Sequence, residues 1–165
     1  MKNLSLLLFI LVCFSSLGQT PEEKLNHLNI KLPEVTEPSA NFVKWRQTGN
    51  LLYLAGDGSK MKGKLGEDLT IDQGYEAARQ TGIDIIATLK AATGDLSRIK
   101  QFIKVRGMVN SSSEFYDQPK VINGFSDLMV EIFGDKGKHA RVAVGHCSLP
   151  SNIAVEIEVI VELEE

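Results

Sequence analysis

Hydrophobic residues recur along this chain with two different periods, and the switches between them mark its elements. From Ile71 onward the apolar positions Ile71, Tyr75, Ala78, Ile85, Ile86 and Leu89 fall at helical spacing. Thr70, with Gln73 three residues later, supplies a capping box at the start, and Thr93-Gly94 stops the run. A second helical stripe, Ile122, Phe125, Leu128, Met129 and Ile132, lies within Val121 to Phe133 and ends at Gly134. Both stripes read as core. Ile99 to Val109, interrupted by Lys100, Lys104 and Arg106, alternates as a long strand. Near the carboxyl end Ile153, Val155, Ile157, Val159 and Val161 hold one face at period two and send Ala154, Glu156, Glu158, Ile160 and Glu162 to the other. In the run before it, Val142 and Val144 are expected on the apolar side, with Arg141, Ala143, Gly145 and Cys147 opposite. Phe42 to Arg46 and Leu51 to Ala55 read as short strands joined at Thr48-Gly49-Asn50, a hairpin-turn signal.

The order is two strands, helix, strand, helix, two strands, without internal repeat. Helices gathered on one side of a mostly antiparallel sheet make a two-layer α+β sandwich. The other sheet face, small and polar in this reading and carrying Ala154 and Ile160, is left open and needs a partner.

The amino terminus changes the picture of where such a domain works. Met1-Lys2-Asn3 precedes an apolar run from Leu4 to Leu17 that only Ser5, Ser15 and Ser16 interrupt, and Gln19-Thr20 follow Gly18 as a polar exit. Residues 1 to 18 therefore read as a secretory signal peptide cleaved after Gly18. The run is too short to span a bilayer, and Val12 before Cys13 argues against a lipid anchor. The mature chain is expected to be soluble and exported, periplasmic or secreted, with Cys147 as its lone thiol and no intrachain disulfide. Residues 19 to 40, with Pro21, Pro33, Pro38 and a short helix at Glu22 to Leu28, read as an N-terminal arm, and residues 41 to 165 as a single domain.

Charge narrows the function classes. The chain has 18 basic and 21 acidic residues and a net charge of −3, and loss of residues 1 to 18 removes one lysine and no acid. Without a basic cluster, nucleic acid is a disfavoured partner, since that affinity rests on neutralised phosphates. His27, His139 and His146 lack zinc-site spacing and Cys147 points away from His146, so no metal is expected. Gly56-Asp57-Gly58 lacks the third glycine and the lysine of a phosphate loop, which leaves a turn or a backbone approach to a ligand. RNA cleavage by His139 and a glutamate is argued against by the acidic charge and by the lack of aromatics along a basic groove. The pattern that carries chemistry is Arg141 with Glu156 and Glu158 over Ala and Gly. It suits a pocket that holds an anionic small molecule and moves a proton on it, and it suits equally a solvated sheet face with a surface ion pair.

Four blocks carry a family resemblance: Thr48-Gly-Asn-Leu-Leu-Tyr-Leu-Ala-Gly56, Gly74-Tyr-Glu-Ala-Ala-Arg79, Phe115-Tyr-Asp-Gln-Pro-Lys-Val-Ile-Asn-Gly124, and Ala140-Arg141 with Leu149-Pro150 and Val155-Glu-Ile-Glu-Val-Ile160. In this order, from about Leu25 to Leu163, the chain resembles the Rid/YjgF family of imine and enamine deaminases, formerly endoribonuclease L-PSP, in its longer-subunit branch. The resemblance implies a chorismate-mutase-like fold, a homotrimer with pockets at its interfaces, and hydrolysis of 2-imino or 2-enamino acids to 2-keto acids without a cofactor. Residue by residue it implies that Arg141 grips the substrate carboxylate, Glu156 activates water or relays a proton with Glu158 beside it, the Gly56 backbone approaches the ligand, and Asn123 lies near the same pocket. Phe42 stands where the family often has tyrosine, and Val142 and Ala143 where it often has serine and cysteine. These departures favour the alternative of a non-catalytic trimer that binds small carboxylates, with endoribonuclease as the remote alternative.

Overall fold

The computed structural model describes residues 18–165. Thr20 accepts from the Glu23 N–H while Glu23 bonds back to Thr20, and this reciprocal cap starts α1 (Pro21–His27). The arm then runs to a hairpin, β1 (Trp45–Thr48) and β2 (Leu51–Leu54), followed by the two-residue β3 (Asp57–Gly58). Thr70 and Gln73 form the expected box at α2 (Ile71–Thr93), which Gly94 closes at φ 74°. The remaining elements are β4 (Ile99–Asn110), α3 (Gln118–Phe133), β5 (Ala140–His146) and β6 (Val155–Leu163). The first strand begins at Trp45 rather than Phe42, and α3 starts at Gln118, with Pro119 in its first turn, where the periodic stripe alone gave Val121.

The sheet runs β1-β2-β6-β4-β5, with β3 also on β6. All pairings are antiparallel except β4 with β5, which the α3 crossover makes parallel. Helices α2 and α3 cover one face, so the architecture is the two-layer α+β sandwich read from the sequence. Its core joins Ile85, Ile86 and Leu89 of α2, Ile122, Phe125, Leu128 and Met129 of α3, and Val105, Val109, Val155, Ile157, Val159 and Val161 of the sheet, with Leu25 of α1 docked onto it. Where α2 and α3 pass closest, a Cβ at Gly124 would run into the Tyr75 carbonyl oxygen, so only glycine fits there.

The strand β5 has the opposite phase to the one its polarity suggests. Arg141 lies opposite Val105 and Ala143 opposite Gly107, both positions of the covered face, so Arg141 and Ala143 turn toward α3. Val142 pairs with the outward Arg106 and is 36% exposed. Packing against α3 sets this phase: a Cβ at Gly107 of the neighbouring β4 would collide with Ile122, and the Arg141 side chain runs to Asn123 and Ser126 of the same helix. Ala154, expected on the open face, is fully buried, its N–H bonded to the Met61 carbonyl.

The signal-peptide reading of residues 1 to 18 is corrected. Residues 1–17 lie outside the described residues, and no described helix is long and apolar enough to cross a membrane. The exported localisation that rested on that reading is not carried further.

Candidate active site

Arg141 enters a small cavity of about 340 Å³ lined by Ser126, Val130, Lys138, His139 and Arg141 itself. Two side chains of α3 hold its guanidinium. Nη1 donates to Asn123 Oδ1 at 2.9 Å and to Ser126 Oγ at 2.9 Å. Asn123 and Ser126 are three residues apart, so helical geometry turns both toward β5. Both hydrogens of Nη1 are thereby committed inside the chain. Nη2 and Nε have no partner among the described residues, and no described carboxylate lies within ion-pair distance of Arg141. The free Nη2 and Nε edge is the side-on fork that takes a carboxylate with two parallel bonds.

Behind Ser126 stands His139. Its Nδ1 lies 2.7 Å from the Gly137 carbonyl oxygen, which can only accept, so the proton of the neutral ring is on Nδ1. Nε2 is then an acceptor, and it lies 3.1 Å from Ser126 Oγ. Burial of the ring pushes its pKa below the ordinary value. The Gly137 bond works the other way, and the Arg141 charge adds to the lowering.

Glu156 belongs to a different place. On β6 it lies opposite Met108 and Gly58, on the open face of the sheet, whereas Arg141 is on the covered face. No described side chain bonds to it. Gly56 stands directly against it: a Cβ there would come within 2.5 Å of Glu156 Oε1. Glu158, also on the open face, lies 3.8 Å from Arg106, with both side chains nearly half exposed. Phe42 is 55% exposed and precedes β1.

Of the residues singled out from the sequence, the structure joins Asn123 with Arg141 and Gly56 with Glu156, and sets these pairs on opposite faces. The expectation that Arg141 shares a face with Glu156 and Glu158 is corrected by the register of β5. Asn123 is in the second turn of α3. Ser126 was not singled out, and His139 was weighed only for metal binding or RNA cleavage. Spacing held the missing signal: Ser126 is one turn from Asn123, and His139 two residues from Arg141 on the same side of an extended chain. Among the described residues no group of three or more His, Cys, Asp and Glu is placed to hold a metal.

Residues 22–163 match the family described as YjgF/chorismate mutase-like, putative endoribonuclease. Protein TCP17 of Trypanosoma cruzi is 41% identical over 146 residues, covering 84% of this chain and 91% of that protein. The crystal structure of Atu1372 of Agrobacterium tumefaciens, a protein of unknown function, superposes with a TM-score of 0.81 at 40% identity, over 88% of this chain and 94% of that one. A Shewanella oneidensis protein described as a putative endoribonuclease superposes with a TM-score of 0.84 at 34% identity, over 88% of this chain and all of the other.

Proposed function

The chain belongs to the YjgF/chorismate mutase-like family, and from that premise we propose that it is a deaminase of 2-imino and 2-enamino acids, working in pockets between the subunits of a homotrimer. The observation that carries this reading is the Arg141 fork: a guanidinium fixed by two neutral oxygens of α3 at 2.9 Å, lining a cavity, with no carboxylate among the described residues within ion-pair distance. A planar carboxylate is the group that satisfies it. With the carboxylate held, water adds to the C=N carbon, a proton passes to the nitrogen, the C–N bond breaks, and ammonia leaves a 2-keto acid. Glu156 is the group assigned to move the protons. Positioning supplies most of what so reactive a substrate needs, and no cofactor is required.

The separation of the two halves supports the assembly. Within one chain Arg141 and Glu156 stand on opposite faces of the sheet, so one small substrate reaches both only where the open face of a second copy meets the β5 edge of the first. Light scattering at micromolar concentration is expected to give the mass of a trimer, and a monomer overturns the interface pocket.

Freshly generated 2-imino acids test the chemistry by their release of ammonia. Wild-type protein is expected to exceed the spontaneous rate. Glu156→Gln keeps affinity for the 2-keto acid product and loses about a hundredfold or more in turnover, whereas Arg141→Lys mainly weakens carboxylate binding. The apolar Phe42, Val142 and Ala143 favour the second reading, a carboxylate-binding trimer without catalysis. On that reading ammonia release stays at the spontaneous rate while Arg141→Lys still lowers affinity. Ribonuclease chemistry is disfavoured by charge, since a chain with 18 basic and 21 acidic residues offers a polyanion little to neutralise.

A further inference from the structure

We propose that Ser126 and His139 form a relay that holds the Arg141 guanidinium and makes its grip on a carboxylate depend on the proton carried by His139. This rests on the carboxylate reading of Arg141 above. The relay has one direction in the neutral state. His139 Nδ1–H donates to the Gly137 carbonyl at 2.7 Å, Ser126 O–H donates to the bare Nε2 at 3.1 Å, and the freed lone pairs of Ser126 Oγ accept from Arg141 Nη1 at 2.9 Å. With its own hydrogen committed to His139, Ser126 presents only lone pairs to the guanidinium.

Adding a proton to Nε2 reverses one bond. Ser126 Oγ must then accept from the ring, and its hydrogen turns to the Ile122 carbonyl oxygen at 3.4 Å. Arg141 keeps its acceptor, and the cavity gains a second positive charge beside the first. The groups facing the ring set the balance. From β5 comes the Arg141 charge, and beside it Lys138, which is paired with Asp135 at 2.7 Å. From α3 come Ser126 and the edge of Phe125, with ring centroids 5.8 Å apart, and from β4 comes Phe102 at 6.5 Å, none of them charged. In the empty cavity the burial of the ring and Arg141 oppose protonation. A carboxylate seated on Arg141 offsets that repulsion, so binding takes up a proton and tightens as pH falls through the His139 titration.

The test is calorimetric titration of the full chain with 2-oxobutanoate, which stays ionised throughout, between about pH 8 and about pH 5.5. Wild-type affinity is expected to rise about fivefold or more on acidification. His139→Gln keeps an acceptor for the Ser126 hydroxyl but cannot take the proton, so it is expected to bind with a flat pH profile. Ser126→Ala is expected to bind about fivefold more weakly at every pH, and Ser126→Thr to restore the wild-type value. A wild-type slope retained in His139→Gln, or wild-type affinity in Ser126→Ala, overturns the relay. Arg141→Lys separates the two levels: if it weakens binding while the His139 and Ser126 variants do not, the carboxylate site stands and the relay falls. If it changes nothing, or wild type does not bind the keto acid, both fall. Nitrogen NMR of the wild-type imidazole is a check without ligand, since a neutral ring protonated on Nε2 rather than Nδ1 also overturns the relay.

Discussion

The two charged groups assigned to the site are held in opposite ways. Arg141 reaches its cavity with two oxygens of α3 at 2.9 Å on one nitrogen, so its geometry is set before any ligand arrives. Glu156, on the open face, has no bonded partner among the described residues, although the Gly56 backbone stands against it. The difference teaches where preorganisation comes from in this fold. On the covered face the helix layer excludes alternatives: Val105, Val155, Ile157 and Val159 are at most 1% exposed, and a side chain at their level is fixed by contact. On the open face no such layer fixes Glu156, whose side chain keeps its choice of rotamers. The arginine half is fixed within its own chain, and the glutamate half is not.

The contrast is broken most severely at Gly124. Because α3 is the platform for Asn123 and Ser126, and a Cβ at Gly124 would meet backbone of α2, which cannot step aside, Gly124→Ala should cost about 3 kcal/mol in urea unfolding. It should also weaken 2-keto acid binding by moving the platform. A variant as stable as wild type would mean that the helix layer yields easily and does not fix Arg141.

A smaller, pH-dependent effect sharpens the comparison on β6 itself. Glu162 faces the same way as Glu156 but is held by Lys100 at 2.9 Å, Gln101 at 2.7 Å and Asn50 at 2.8 Å. The bonds from Lys100 and Gln101 hold its carboxyl below the ordinary value of 4.5. A carboxyl with a depressed folded pKa contributes stability that is present above its unfolded pKa and lost as pH falls through the folded one. Wild type should therefore lose more stability than Glu162→Gln as pH drops below about 4.5, followed by urea midpoints. Equal losses would show that these bonds do not hold the ionised form.

Most of the framework was legible because local rules and packing agree in it. The Thr70 capping box starts α2, and the alternation from Val155 to Val161 survives intact because β6 is central, paired on both sides, and covered on one face. The phase of β5 was not legible. It is an edge strand whose two faces read Val142-Val144 and Arg141-Ala143-Gly145, and polarity alone assigns the valines inward. What decides is how α3 packs over the sheet, a tertiary quantity: Ile122 leaves no room for a Cβ at Gly107, and Asn123 and Ser126 supply the oxygens that Arg141 meets. For the same reason the pairing of Arg141 with α3 rather than with Glu156 could not be read from strand periodicity, and Ser126 and His139 gained their roles only once the helix lay over the strand.

The smallest stability effect is expected at Gly56, and it bears most directly on the glutamate half. A Cβ there would come within 2.5 Å of Glu156 Oε1, the far end of a side chain that no other bond restrains. The carboxylate can swing away by a rotamer change, so Gly56→Ala should cost less than about 1 kcal/mol in urea unfolding. Its effect on chemistry should be larger than its effect on folding. Displacing Glu156 from its place beside the Gly56 backbone should lower ammonia release about tenfold or more while leaving affinity for the 2-keto acid, which Arg141 governs, within about twofold. The opposite split, weaker binding at unchanged turnover, would place Gly56 in the carboxylate subsite and remove Glu156 from the proton transfers. A loss of stability comparable to that of Gly124→Ala would show that Glu156 is as rigidly held as Arg141, and the contrast between the two halves would no longer stand.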